Sequence, residues 1–406
     1  MSTLRKAHLV TALLLTIAAA GIVGADADDE VGVTLLITSG TSGRLFGDDG
    51  ATVASLAGTI RAAAEDARAE GRVVVILDAG RTLLPYAESR FDGGATMFEV
   101  LHSAGCSVFT PAPIDFAIGT PQVRTLAADA EFAVVRPFTI EGEEPGRNLS
   151  EAAELRPERG PVLEILSLMA PAFSDDLASA GVDGALALEP PDAPSPADRL
   201  RIAVIHSRGQ GGKLENRVLT WRLVESPGGL DVLFDPDLGA DVVLRSVSDG
   251  RPVVLAGRHQ DHGRLWAFAR LDLETERDDG RWRVTGADFQ VIDADPGAPT
   301  DPLLVATVEG AREAFRTARA EPLADGAPRT REDLERFVLR ALRERARSEV
   351  AILNRGALRP VAEEHFQKER LTQETVGRLL SIDQYVTVGS LTGEELESLA
   401  AESVRR

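Results

Sequence analysis

A single cysteine, Cys106, stands in 406 residues, so the chain cannot close a disulfide within itself and its fold must rest on packing. The stretch around it, "LHSAGCSVF", reads as a helix end entering a strand, where a buried structural thiol is expected. Aromatic residues make up only 5%, which leaves few rings for stacking a nucleobase. Histidine is scarce too, 6 in all, so a site built from many imidazole ligands is hard to assemble. Basic residues are outnumbered, 44 Lys and Arg against 64 Asp and Glu, for a net charge of −20. Nucleic acid and anionic membrane surfaces would be repelled, and neither is an expected partner. Beyond the first 25 residues no apolar run is long enough to span a bilayer, so no membrane-spanning segment is expected there.

What is present begins with "MSTLRKAHLVTALLLTIAAAGIVGA". Arg5 and Lys6 precede an apolar run that ends on small residues, with Val23 and Ala25 spaced for signal peptidase. This is the pattern of a secretory signal peptide over residues 1–25, and it implies an exported protein, periplasmic or extracellular. Loss of Arg5 and Lys6 takes the net charge to about −22. The rest of the chain is long enough for two domains, each with its own core.

From residue 31 to about 135 strand and helix alternate. "VGVTLLI" precedes "ATVASLAGTIRAAAEDARAE", "RVVVILDAG" precedes "TMFEVLHSAG", and "CSVFT" precedes "PQVRTLAADA", with "FAVVRPF" closing the series. Such alternation predicts a layered sheet covered by helices. Glu141 to Arg159 and Glu189 to Asp198 are acidic or Pro-rich and read as surface loops. The strands "RIAVIHS", "LDVLFD" and "PVVLAG" follow, then the strand-rich "LWAFARLDLETERDDGRWRVTGADFQVI". Pro, Gly and Asp accumulate from Asp293 to Pro302 and mark a boundary. Beyond it the pattern predicts a helix, "LLVATVEGAREAFRTARAE", a second helix, "REDLERFVLRALRERA", a strand, "EVAILN", and a closing β run, "QYVTVGSL".

Taken in order, five motifs resemble the secreted 5′-nucleotidase family. They are "LITSGTSGRL" (Leu36 to Leu45), "DAGR" (Asp78 to Arg81), "APIDFAIG" (Ala112 to Gly119), "SEVAILNRGALR" (Ser348 to Arg359) and "LTQETVGRLLSIDQYVTVGSLTG" (Leu371 to Gly393). The resemblance implies an α/β fold, a layered metallophosphoesterase-like β-sandwich flanked by helices, over residues 31–300. It further implies a linker helix over 301–330 and a smaller, partial C-terminal domain of 5′-nucleotidase type over 331–406.

Chemistry in that family depends on two divalent metals that share a bridging carboxylate and activate a water. Carried over residue by residue, the first motif's Asp and His fall on Gly40 and Ser42, and the bridging Asp falls on Arg81. The Asn and His of the third motif fall on Pro113 and Ile114, which leaves Asp115 at its acidic neighbour. A later His matches His206, or Ser207 under a one-residue shift, and a final His-x-His pair falls on Asp237 and Gly239. A guanidinium stays protonated at ordinary pH, so Arg81 would set a positive charge between two dications. At about 4 Å and an effective dielectric near 20, each such contact costs several kcal/mol. The expectation is a chain without its metal centre, a pseudoenzyme acting in binding or assembly, with no cofactor. The alternative is residual hydrolysis of nucleotides or phosphate esters with Mn, Zn or Mg, through Asp78, Asp115, His206 and Asp237.

In the expected protein, Arg81 and Arg44 would meet an anion together with hydroxyls and backbone N–H groups of the first loop. The competing reading has Arg81 held by a neighbouring carboxylate such as Asp78. Asn354 and Arg359 match the polar ends of the family's substrate-holding segment. The family's base-stacking aromatic strands have no counterpart after Gly393, so an envelope protein or a second chain covering the shortened sheet is an expected partner. "HSRGQGGKL" lacks P-loop spacing, and "RHQDH" reads as a solvated turn. No G-x-S-x-G elbow surrounds Ser42 or Ser207.

Overall fold

The computed structural model describes residues 29–46, 52–84, 87–140, 149–171, 173–179, 182–191, 193, 195–207, 223, 229–236, 242–248, 251–257, 266–325, 330–352, 370–372 and 389–404. The signal-peptide segment, Asp237, Gly239, Asn354 and Arg359 lie outside them.

Apolar alternation in "VGVTLLI" produces strand β1 (Glu30–Thr38), which sends Val33, Leu35 and Ile37 to one face and Leu36 to the other. After it come helix α1 (Val53–Ala69), β2 (Val73–Asp78), the short helix α2 (Ala87–Phe91), α3 (Ala95–Ala104) and β3 (Val108–Phe109). Next are a 3-10 turn (Pro113–Ile118), α4 (Thr120–Asp129), β4 (Ala133–Val135), β5 (Phe138–Ile140), β6 (Leu149–Ser150) and β7 (Ala152–Leu155). Then follow β8 (Val162–Met169), α5 (Phe173–Ser179), β9 (Ala185–Ala187), β10 (Arg199–His206) and β11 (Val232–Asp235). The β-rich stretch ends with β12 (Val242–Ser248), β13 (Arg251–Gly257), β14 (Ala267–Asp278) and β15 (Arg281–Asp293).

Two sheets result. The first has the order β15-β14-β1-β2-β3-β4-β6, and the second β12-β13-β11-β10-β8-β7. Strands β1, β2, β3, β4 and β6 run parallel, as do β8, β10, β11 and β13. Val33, Leu35, Ile37 and Leu77 of the first sheet meet Ile165, Ile202, Val204 and Phe234 of the second in a buried layer. The outer face of the first sheet is covered by helices through Leu36, Ile76, Phe109 and Phe268 against Leu56, Ile60, Met97 and Leu101. This is the helix-flanked sandwich that the alternation and the resemblance imply.

Helix α1 starts on a capping box between Thr52 and Ser55. The boundary at Asp293 to Pro302 is a turn, and Asp301 caps the following helix α6 (Pro302–Ala320) by accepting from Leu303 N at 2.8 Å. Leu304 and Val308 of α6 join the core beneath α1 and α3. Further on lie β16 (Pro322–Asp325), α7 (Arg331–Ala346), β17 (Arg370–Thr372) and α8 (Gly393–Val404).

Two sequence expectations need correction. Part of the stretch read as surface loop, Glu141 to Arg159, forms β6 and β7, because Leu149 and Ala153 turn into the core. In "EVAILN" the described residues Glu349–Ile352 are not strand. Val350 and Ile352 are exposed there, and among the described residues no strand pairs with them. The part of "QYVTVGSL" that is described, 389–391, is also irregular.

Phe234→Ala, which empties the layer between the sheets, is expected to cost about 3–5 kcal/mol. Leu303→Ala, at a site 74% exposed, is expected to stay within about 0.5 kcal/mol. Denaturant midpoints at constant slope measure both.

Candidate functional site

The register of β1 and β2 puts Thr38 opposite Asp78 at the carboxyl ends of two parallel strands, the place where open α/β sheets present ligand-binding loops. Beyond the strands the two loops continue as a ladder. Ala79 N donates to Thr38 O (2.7 Å), Gly40 N to Gly80 O (2.9 Å), Ser42 N to Arg81 O (2.6 Å) and Gly43 N to Thr82 O (2.8 Å). The approach is close enough to demand glycine. A Cβ on Gly43 would lie 2.4 Å from Leu83 O, and one on Gly80 2.4 Å from Ala112 N. Ser42 and Arg81 face each other in this ladder, and both have positive φ, 60° and 56°.

Two buried carboxylates secure the ladder from below. Asp78 accepts from Thr38 Oγ1 (2.6 Å), Thr82 Oγ1 (2.6 Å) and Gly80 N (2.9 Å). Asp115, in the 3-10 turn, accepts from four backbone N–H groups, those of Arg81 (2.7 Å), Thr82 (3.0 Å), Leu83 (2.8 Å) and Ala112 (2.9 Å). Burial pushes Asp78 up to about 7, against the pull of its hydroxyl and N–H donors. Burial likewise pushes Asp115 up to about 6, opposed by the backbone N–H groups. Behind Asp78 lies a small cavity of about 20 Å³, lined by Thr38, Thr41, Thr82 and apolar residues of α1 and α3, which has room for one water.

The second sheet contributes its own strand ends. His206 Nε2 lies 3.2 Å from Ser167 Oγ of β8, and Ser207 Oγ donates to Asp235 Oδ2 at 2.8 Å, at the end of β11. Burial and the nearby Arg81 guanidinium push His206 down to about 3, so its ring is neutral at ordinary pH. Arg81 follows β2 of the first sheet and His206 ends β10 of the second, each at the carboxyl end of a parallel strand.

Of the residues singled out in the sequence, Asp78, Arg81, Asp115 and His206 are gathered at this end of the sandwich. Arg44 sits on the first loop beside Glu88, whose carboxylate accepts from Leu45 N at 2.7 Å. Asp237, Asn354 and Arg359 lie outside the described residues. Among the described residues no three His, Cys, Asp or Glu side chains group as a metal site.

Several N–H groups expected to cradle an anion are taken up by the protein itself. Those of Gly40, Ser42, Gly43 and Arg44 donate to carbonyls, and in the second loop that of Ala79 donates to Thr38 O, that of Gly80 to Asp78 and those of Arg81, Thr82 and Leu83 to Asp115. Thr38 was among the hydroxyls the first loop offers in sequence, whereas sequence reasoning missed Thr82, Ser167 and Asp235. Asp235 had a signal, as the acid that ends "LDVLFD".

No protein-family model matches the chain, and no curated protein matches it in sequence. Solved structures do match in fold. The calcineurin-like phosphoesterase YfkN of Bacillus subtilis has a TM-score of 0.53 at 13% identity, over 70% of this chain and 98% of that one. The 5′-nucleotidase precursor of Thermus thermophilus has a TM-score of 0.57 at 14% identity, over 86% of this chain and 74% of that one. This chain has the calcineurin-like phosphoesterase fold. The sulfate thiohydrolase SoxB of Thermus thermophilus has a TM-score of 0.54 at 13% identity, over 72% of this chain, which spans 62% of SoxB. Within this phosphoesterase fold, Arg81 and Asp115 occupy the loops after β2 and β3.

The folded-state pKa of Asp78, about 7, lies above the ordinary carboxylate value of 3.8, so folding favours the protonated form. That contribution to stability is complete below the unfolded pKa and is lost as pH rises through about 7. Urea midpoints are expected to fall between about pH 4 and pH 7, and Asp78→Asn is expected to flatten that part of the slope.

Proposed function

We propose that this is an exported, non-catalytic protein of the phosphoesterase fold, related to 5′-nucleotidases, that acts by binding or assembly. One observation carries the reading: the carboxylates at the carboxyl ends of β2 and β3 are committed to the protein's own donors. A pair of dications needs carboxylate lone pairs open to metal, and a carboxylate offers about four. Asp115 has four N–H donors, and Asp78 three donors in a buried site. Arg81 adds a fixed positive charge where the resemblance puts the bridging Asp. These residues do not fit a binuclear centre.

Export rests on the leader pattern of residues 1–25 and fits either the periplasm or the extracellular space. Among the described residues no helix is long and apolar enough to cross a membrane. Arg81 brings a permanent positive charge to this end of the sandwich, so a nucleotide or phosphate ester is the small ligand to try first. An envelope protein is the partner to seek by pull-down.

Metal analysis after incubation with Mn²⁺ and Zn²⁺ and desalting is expected to find fewer than about 0.1 ion per chain. Turnover of nucleotides and aryl phosphates is expected to be negligible and insensitive to chelator. One or two retained ions, with activity abolished by chelator and by Asp78→Ala or His206→Ala, would instead establish a phosphoesterase using Asp78, Asp115, His206 and Asp237.

A further inference from the structure

We infer that Asp115 is the brace that holds the site-bearing loops of this chain in place, so that they keep their form without a cation. Its four N–H donors come from two segments distant in sequence, 81–83 and Ala112. Both carboxylate oxygens are used: Oδ1 by Thr82 and Leu83, Oδ2 by Arg81 and Ala112. Asp115 is fully buried, so water cannot replace any of these bonds if the carboxylate is removed.

The brace acts on a strained piece of backbone. Arg81 has φ 56° and Ser42, bonded to its carbonyl, has φ 60°. A side chain in the left-handed region is disfavoured, and such a conformation persists only where the surroundings over-determine it. At Arg81 they do so from both sides of the residue. Its N–H is taken by Asp115 and its C=O by Ser42 N. Through that backbone Asp115 sets where the Arg81 guanidinium stands relative to His206, which makes Asp115 a positioning residue. The inference does not depend on whether the protein is catalytic, because the four bonds can be measured without any turnover.

The test is residue-resolved amide hydrogen exchange on the full folded chain, in chelator and in added Mn²⁺, for the wild type, Asp115→Asn and Arg81→Gly. Asn keeps the shape but trades one acceptor oxygen for a donor. Wild-type amides of Arg81, Thr82, Leu83 and Ala112 are expected to exchange on the order of 100-fold slower than an open loop, equally in chelator and in Mn²⁺. In Asp115→Asn they are expected to lose most of that protection while β1 and β10 keep theirs. Arg81→Gly added to Asp115→Asn, which relieves the positive φ, is expected to recover part of the lost thermal stability. If Asp115→Asn does not fold, the wild-type rates decide alone. Unprotected amides in the wild type, or protection that appears only with Mn²⁺, would overturn the brace. Metal uptake with the brace unchanged would overturn the proposed function and leave this inference standing.

Discussion

Four backbone N–H groups converge on the buried carboxylate of Asp115, and the geometry of the loops after β2 and β3 depends on that convergence. A polypeptide turning sharply at the end of a parallel strand leaves N–H groups with no neighbouring strand to receive them. Inside a sandwich, water is not available to receive them either. One carboxylate solves the problem for three consecutive residues and for a second loop, and Asp78 does the same with two threonine hydroxyls and Gly80. The ladder from Ala79 to Thr82 then holds the first loop, so three segments are fixed by two carboxyl groups.

The same arrangement decides what chemistry this end of the molecule can do. Lone pairs that hold a loop are not open to a metal, and N–H groups that hold a carboxylate are not open to a phosphate. The other ionisable groups gathered here include Arg81, Asp235 beside Ser207, and His206, held neutral by burial and by the nearby Arg81. A neutral imidazole beside a buried serine hydroxyl, 3.2 Å away, is a satisfied polar pair in the second sheet's core.

The β1–β2–β3 alternation could be read because each strand is buried on both faces and each helix shows one apolar face, patterns that local sequence must carry. Short strands such as β6 and β7 could not, since two to four residues flanked by acidic sequence give no period to detect. "EVAILN" looked like a strand because it is a short apolar run with β-branched residues, yet Val350 and Ile352 are exposed: an apolar run does not provide the neighbour a strand must pair with. At the site, Asp78, Arg81, Asp115 and His206 were found by motif order, but Ser167 and Asp235 belong to it only because their strands lie beside the one that carries His206.

By itself the sequence determined the layered α/β class and the strand–helix alternation that begins it, because each is written in residue type and local spacing. Only the tertiary structure decided what Asp78 and Asp115 are for. An aspartate's role depends on which donors surround it, and four of those donors, Thr38 for Asp78 and Arg81, Thr82 and Leu83 for Asp115, come from 32 to 40 residues away in sequence. The first glycine-rich loop resembles an open anion cradle when read as a string. The N–H groups of Gly40, Ser42 and Gly43 are taken by carbonyls of the neighbouring loop, and that fact exists only once β1 and β2 lie side by side.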